Sequence, residues 1–160
     1  MDSRIALSVE QSAVSASLFD MALEGLSEEE VRKSVGDGSN PMIWVVGHLT
    51  SVRSNLVNLL GHKHEVPWGN LFDRGETIDN PGEYPPLDQI LAVWTETTAV
   101  LMARLEKIGD EELSAESPLS LPIPDKTVRG TIGFMAYHEG YHVGLMAYLR
   151  KWLGKGVLVG

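Results

Sequence analysis

A chain of 160 residues without cysteine has no disulfide, cysteine–zinc site, iron–sulfur cluster or thiol nucleophile of its own. Thirteen basic residues against 22 acidic leave a net charge of −9, and such a surface repels phosphate backbones and anionic lipid, so neither nucleic acid nor a membrane is expected as a partner. The length fits one domain, 1–160, and the opening MDSRIALSVEQS lacks a charged segment leading into an apolar run, which predicts a cytoplasmic protein.

The first helix is expected over about 3–25, with Leu7, Val14, Leu18 and Met21 along one stripe. SEEEVRK then reads as a short capped helix, Ser27 and Glu30 forming its capping box. The second long helix opens at SNPMIW, with Asn40 as N-cap and Pro41 at the first helical position. It runs to about Leu60, stops at Gly61, and turns Val45, His48, Val52, Leu56 and Leu59 inward. A linker over 62–85 carries Pro67, Pro81 and Pro85. The third helix starts near PPLDQI. Its seam of Leu87, Leu91, Trp94, Thr98, Leu101, Leu105 and Ile108 has the alternating spacing of a bundle helix. A proline-bearing connection over 109–127 leads to the fourth helix, about 128–153, with a seam of Met135, His138, His142, Leu145, Leu149 and Trp152.

Four long amphipathic helices with sparse strand signals predict an all-α four-helix bundle. The second helix spans roughly 30 Å, and the linker after it is long enough to cross that distance and bring the chain back parallel. The expected topology is therefore up-down-down-up.

His138 and His142 occupy consecutive seam positions of the fourth helix, one turn apart on one face, and His48 occupies the seam of the second. Leucine packs better at such positions, so each imidazole either bonds a carbonyl or carboxylate, or ligates a metal. Three neutral imidazoles suit zinc, nickel, copper or iron, and leave a coordination position for water or substrate.

The segments NPMIWVVGHLTSVRSNLVNLLG and TVRGTIGFMAYHEGYHVGLMAYLRKWLG resemble the two signature helices of the DinB superfamily (DinB/YfiT-like). Asn40, Trp44, Gly47, His48 and Leu49 match the pattern N-x-x-x-W-x-x-G-H-L. His138, His142 and Gly144 match H-x-x-x-H-x-G, and PWGNLFDRG is similar to the family's linker. The likeness covers about 40–153. It implies a dimeric up-down-down-up bundle that holds a divalent metal, zinc or nickel, on His48, His138 and His142. Leu145 departs from the family, which often carries Gln there. Several DinB-like families are thiol-dependent S-transferases or isomerases. The resemblance therefore implies a metal-dependent transferase that takes a low-molecular-weight thiol as cofactor and a small-molecule substrate. The alternatives are a metal-dependent hydrolase, a non-catalytic metal-binding or stress-response protein, and a bundle whose histidines hold no metal.

Other polar residues have plainer expectations. His62 and His64 read as a solvated helix end. Arg53 is expected on the surface and Glu139 partly exposed, while Tyr137, Tyr141 and Tyr148 read as packing residues with wet tips. Trp44 either walls a pocket or packs in the core. Glu139 is the only formal charge between Thr131 and Leu149, and the back of that helix is small: Gly133, Ala136, Gly140, Gly144 and Ala147. A helix apolar all round is buried all round. A homodimer through the fourth helix is the expected cover, with close packing by the N-terminal segment as the alternative.

Overall fold

The computed structural model describes residues 1–36, 38–76, 78 and 80–159. Among these the chain is helical, without a strand: α1 (Ala6–Leu23), α2 (Glu28–Val31), α3 (Met42–Leu59), α4 (Leu87–Lys107), α5 (Asp110–Ser114) and α6 (Val128–Trp152). Local chemistry sets most of the ends. Ser27 and Glu30 form the expected reciprocal capping box. The Thr127 hydroxyl accepts the Gly130 N–H at the start of α6. At the end of α3, Gly61 takes φ +80°, while Gly61 N–H bonds Asn58 and His62 N–H bonds Val57. This is the glycine-terminated cap that satisfies the last carbonyls. The start of α3 differs from expectation: Pro41 is extended and itself occupies the N-cap position, with no side-chain cap from Asn40.

The four long helices pack as a ring in which α1 lies along α6, α6 along α3, α3 along α4, and α4 along α1. The interior has two apolar cores. One gathers Phe19, Trp44, Leu49, Phe72, Trp94, Met146 and Leu149. The other gathers Ile5, Leu56, Val57, Leu101, Leu105, Ile132 and Met135. On every long helix a polar residue falls between the two sets and is buried: Ser12 and Ser15, Arg53, Thr97, and Glu139. A polar layer therefore crosses the middle of the bundle.

Two expectations about faces are corrected. On α1, Leu7, Val14 and Met21 are exposed, and Ser12, Ser15, Phe19, Ala22 and Leu23 are buried instead. The cause is the size of the groups at the contact: α1 lies on the small face of α6, where Ala136 is buried and Ser8 faces Gly133. Small residues let the two backbones approach, and an apolar stripe does not report that. Secondly, Trp152, assigned to the seam of α6, is exposed. On the back of α6, α1 covers Gly133 and Ala136, whereas Gly140 and Gly144 are exposed.

Candidate metal centre

The three seam histidines meet. His48 comes from the first half of α3, while His138 and His142 come from successive turns of α6. Their ring nitrogens converge: His138 Nε2 lies 3.4 Å from His48 Nε2 and 3.1 Å from His142 Nε2. The three potential ligand atoms all fall within 4.8 Å of one another, a cluster that could hold a metal ion. Nitrogens bound to tetrahedral zinc sit about 2.0–2.1 Å from the ion, hence roughly 3.3 Å apart. The two spacings to His138, 3.4 and 3.1 Å, match that edge, and the third pair lies within 4.8 Å.

The tautomer of His48 is set from behind. Its Nδ1–H donates to the Phe72 carbonyl at 2.7 Å, which leaves Nε2 as a bare lone pair facing the cluster. The Trp44 ring stacks on His48, 8° from parallel with centroids 4.8 Å apart, so it walls the site and serves the core at once. The linker that supplies the Phe72 carbonyl is pinned to α3 by two indoles. Trp44 Nε1 donates to the Glu76 carbonyl and Trp68 Nε1 to the Ser51 hydroxyl, each at 2.9 Å. Between these ties the Phe72 ring lies directly over Gly47.

Burial decides the charge state. It lowers His138 to about 4 and His142 to about 3, with repulsion among the histidines adding to the effect. Desolvation lowers His48 as well, against the pull of the Phe72 carbonyl and Asp73. Neutral imidazole is the ligating form, so the cluster is prepared for a cation at neutral pH. The same shifts set a pH dependence. Each folded-state pKa lies below the ordinary 6.5, so as pH falls the unfolded chain takes up protons before the native one. The metal-free protein is expected to lose stability as pH falls from about 6.5 towards 3. His142→Ala should show a smaller loss over that window. Denaturant midpoints of both proteins, measured across the window, check this; parallel curves would contradict it.

A cavity of about 520 Å³ opens on the cluster. Val52, Leu121, Pro122, Phe134 and Met135 supply apolar wall, and Arg74, Ser120 and Tyr141 supply the polar groups. Its lining includes no carboxylate among the described residues.

Glu139 and Arg53 overturn their expectations. Arg53 is fully buried and Glu139 is 2% exposed. The carboxylate accepts from Arg53 Nε at 2.6 Å and from Nη2 at 2.9 Å. The guanidinium also donates to Thr98 Oγ1 and to the Ser12 carbonyl, and lies 4.0 Å from the Trp94 ring centre. Sequence reasoning missed the pair, although a lone charge within an apolar helix was its signal. It also missed Phe72, which acts on the site through a backbone atom and so leaves no trace in side-chain type. His64 is half-buried and bonds Thr97 Oγ1 at 2.6 Å, while His62 is exposed; neither joins the cluster. Tyr137, Tyr141 and Tyr148 are exposed.

The fold and this cluster define a class: an all-helical bundle with three histidines converging beside a cavity. The chain belongs to the DinB superfamily, whose family model matches residues 13–146. A solved structure described as the conserved protein of locus from Enterococcus faecalis superposes with a TM-score of 0.73 at 15% identity, covering 98% of this chain and 99% of that one. At that identity the likeness speaks for the fold. No curated protein matches the chain.

Proposed function

We propose that the chain is one domain, 1–160, that binds a single divalent metal, zinc or nickel, through Nε2 of His48, His138 and His142. On this reading it serves as a cytoplasmic metal-dependent transferase using a low-molecular-weight thiol. The observation that carries the metal site is the convergence of three ring nitrogens, one of them held in its tautomer by the Phe72 carbonyl. When bound, a divalent metal supplies a positive centre that acidifies a thiol or water beside it. The chain's own residues do the rest. The apolar wall of Val52, Leu121, Phe134 and Met135 receives the hydrophobic body of an electrophile and excludes water. Trp44 holds the plane of His48. Hydrolysis requires a base within reach of the attacking water. The cavity lining has no carboxylate among the described residues, and Glu139 is occupied by Arg53. That favours the thiol over hydrolysis.

The helix order up-down-down-up is part of this reading. Its support is that the ends of α1 and α6 share one core with the beginnings of α3 and α4, and that Arg150 donates to the carbonyls of Ala22 and Glu24. The proposed homodimer uses the outer face of α1 and α6, where Leu7, Val14, Met21, Tyr137, Tyr141 and Tyr148 are exposed together. A monomer in light scattering at micromolar concentration would remove the dimer. No helix among the described residues is long and apolar enough to cross a membrane.

The test combines elemental analysis of untagged protein with a panel of small thiols and a chromogenic electrophile. Holo protein should turn over only with thiol, and chelated protein and His138→Ala should not. Metal at 100-fold its dissociation constant should add about 2.7 kcal/mol, which is roughly 5–10 °C in Tm for a chain of this size. His142→Ala should abolish that shift. Thiol-independent hydrolysis would replace the mechanism, no turnover in any arm would make this a non-catalytic metal-binding protein, and absence of metal would sink the site.

A further inference from the structure

The two sides of the histidine cluster are held differently. On α3, the Phe72 carbonyl grips His48 by its Nδ1. On α6, the Nδ1 atoms of His138 and His142 are buried, and no group of the described residues bonds them. Imidazole ligands are ordinarily oriented by a partner on the second nitrogen. With none here, the aim of both rings depends on where α6 itself stands against α3.

Apolar packing defines that position loosely, because leucine and methionine tolerate sliding and repacking. One contact defines it sharply. Glu139, the residue after His138, accepts two hydrogen bonds from Arg53 on α3, the helix that also carries His48. A planar guanidinium fork on a carboxylate is satisfied in one arrangement and penalises rotation or translation of either partner. A shift of α6 by one residue would turn it by about 100° and move it by about 1.5 Å, carrying both histidines off the site. Arg53 is in turn fixed to the other two long helices. Thr98 of α4 and the Ser12 carbonyl of α1 take two more of its donors, and its plane lies over Trp94, which stacks on Phe19.

We propose that Arg53 and Glu139 are positioning residues for the metal centre: their buried ion pair sets the register of α6 on α3 and thereby aims His138 and His142 at the site that His48 shares. This rests on the metal-binding reading above. It assigns the pair a role beyond holding the bundle together, since an apolar pair of similar volume can replace a buried ion pair without loss of stability but lacks the directional fork that penalises a change of register.

The experiment compares wild type with Arg53→Met/Glu139→Leu. It measures thermal unfolding of the metal-free proteins, then cobalt(II) affinity and the visible cobalt spectrum of each. The expected result is a double variant that melts close to wild type, binds cobalt about 10- to 100-fold more weakly, and shows an altered spectrum. A double variant with wild-type melting, affinity and spectrum overturns the proposal. Should the double variant not fold, Arg53→Lys is read in the same way, because it keeps the charge and removes the fork; a wild-type cobalt site there is equally fatal. A wild-type protein that takes up no cobalt fails the metal reading itself and takes this proposal with it, an outcome seen in the first arm alone.

Discussion

Glu139→Leu alone is expected to lower stability by about 3–5 kcal/mol, the cost of leaving one partner of a buried ion pair unpaired. In Tm this is about 6–20 °C for a chain of this size. The figure is large because of what remains. Arg53 is fully buried, and a guanidinium cannot shed its charge. Thr98, the Ser12 carbonyl and the Trp94 face still contact it, but these are neutral partners and cannot replace a carboxylate. Arg53→Met should cost less, since a stranded carboxylate can take up a proton. Joining the two substitutions should recover most of the loss, so the double-mutant cycle carries a strongly non-additive term. Calorimetry of the four proteins measures it. Additive losses would mean that the two side chains do not act as a pair.

The legible part of this molecule was the part written in apolar spacing and residue type. The seams of α3 and α6 place three histidines on two helices, and the structure brings those three together. What spacing could not supply was which groups stand behind those histidines and hold them. The face of α1 departs from its apolar stripe because the contact with α6 is built on small residues, Ser8, Gly133 and Ala136, while the larger apolar side chains Leu7 and Val14 point outward. Arg53 and Glu139 are 86 positions apart, so neither announces its partner, and each taken alone reads as an ordinary surface charge. Yet both stand in helical stretches without another formal charge, and a charge is costly to bury unless it is paired. Trp44, Gly47 and His48 belong to one sequence motif, and the structure separates their tasks: a wall for the imidazole, a seat for the linker, and a ring nitrogen at the cluster.

The seat is where the second large effect is expected. A Cβ on Gly47 would lie 2.5 Å from Cε1, Cε2 and Cζ of Phe72, well inside contact distance. The ring has nowhere to retreat. It is fully buried, stacks on Tyr84 at 5.2 Å and meets Trp68 edge-on at 5.6 Å. Gly47→Ala is therefore an overpacking substitution, expected to cost about 1–3 kcal/mol, and Phe72→Ala, which empties the same space, about 3–5 kcal/mol. Combined, they should cost less than their sum, because the added methyl enters volume that the ring has left. Gly144→Ala is the control. It lies on the exposed side of α6 with nothing within 4 Å of a new Cβ, so it should be neutral or stabilise by up to about 1 kcal/mol through helix propensity. The function-bearing consequence concerns the backbone. Displacing Phe72 draws its carbonyl away from His48 Nδ1, now 2.7 Å distant, and loosens the one ligand whose orientation the linker fixes. Metal affinity of Gly47→Ala should fall about 10- to 100-fold, while Gly144→Ala keeps it. Isothermal titration of both variants, beside their thermal melts, decides the point: a Gly47→Ala protein that melts and binds metal as Gly144→Ala does would show that the linker has no hold on His48.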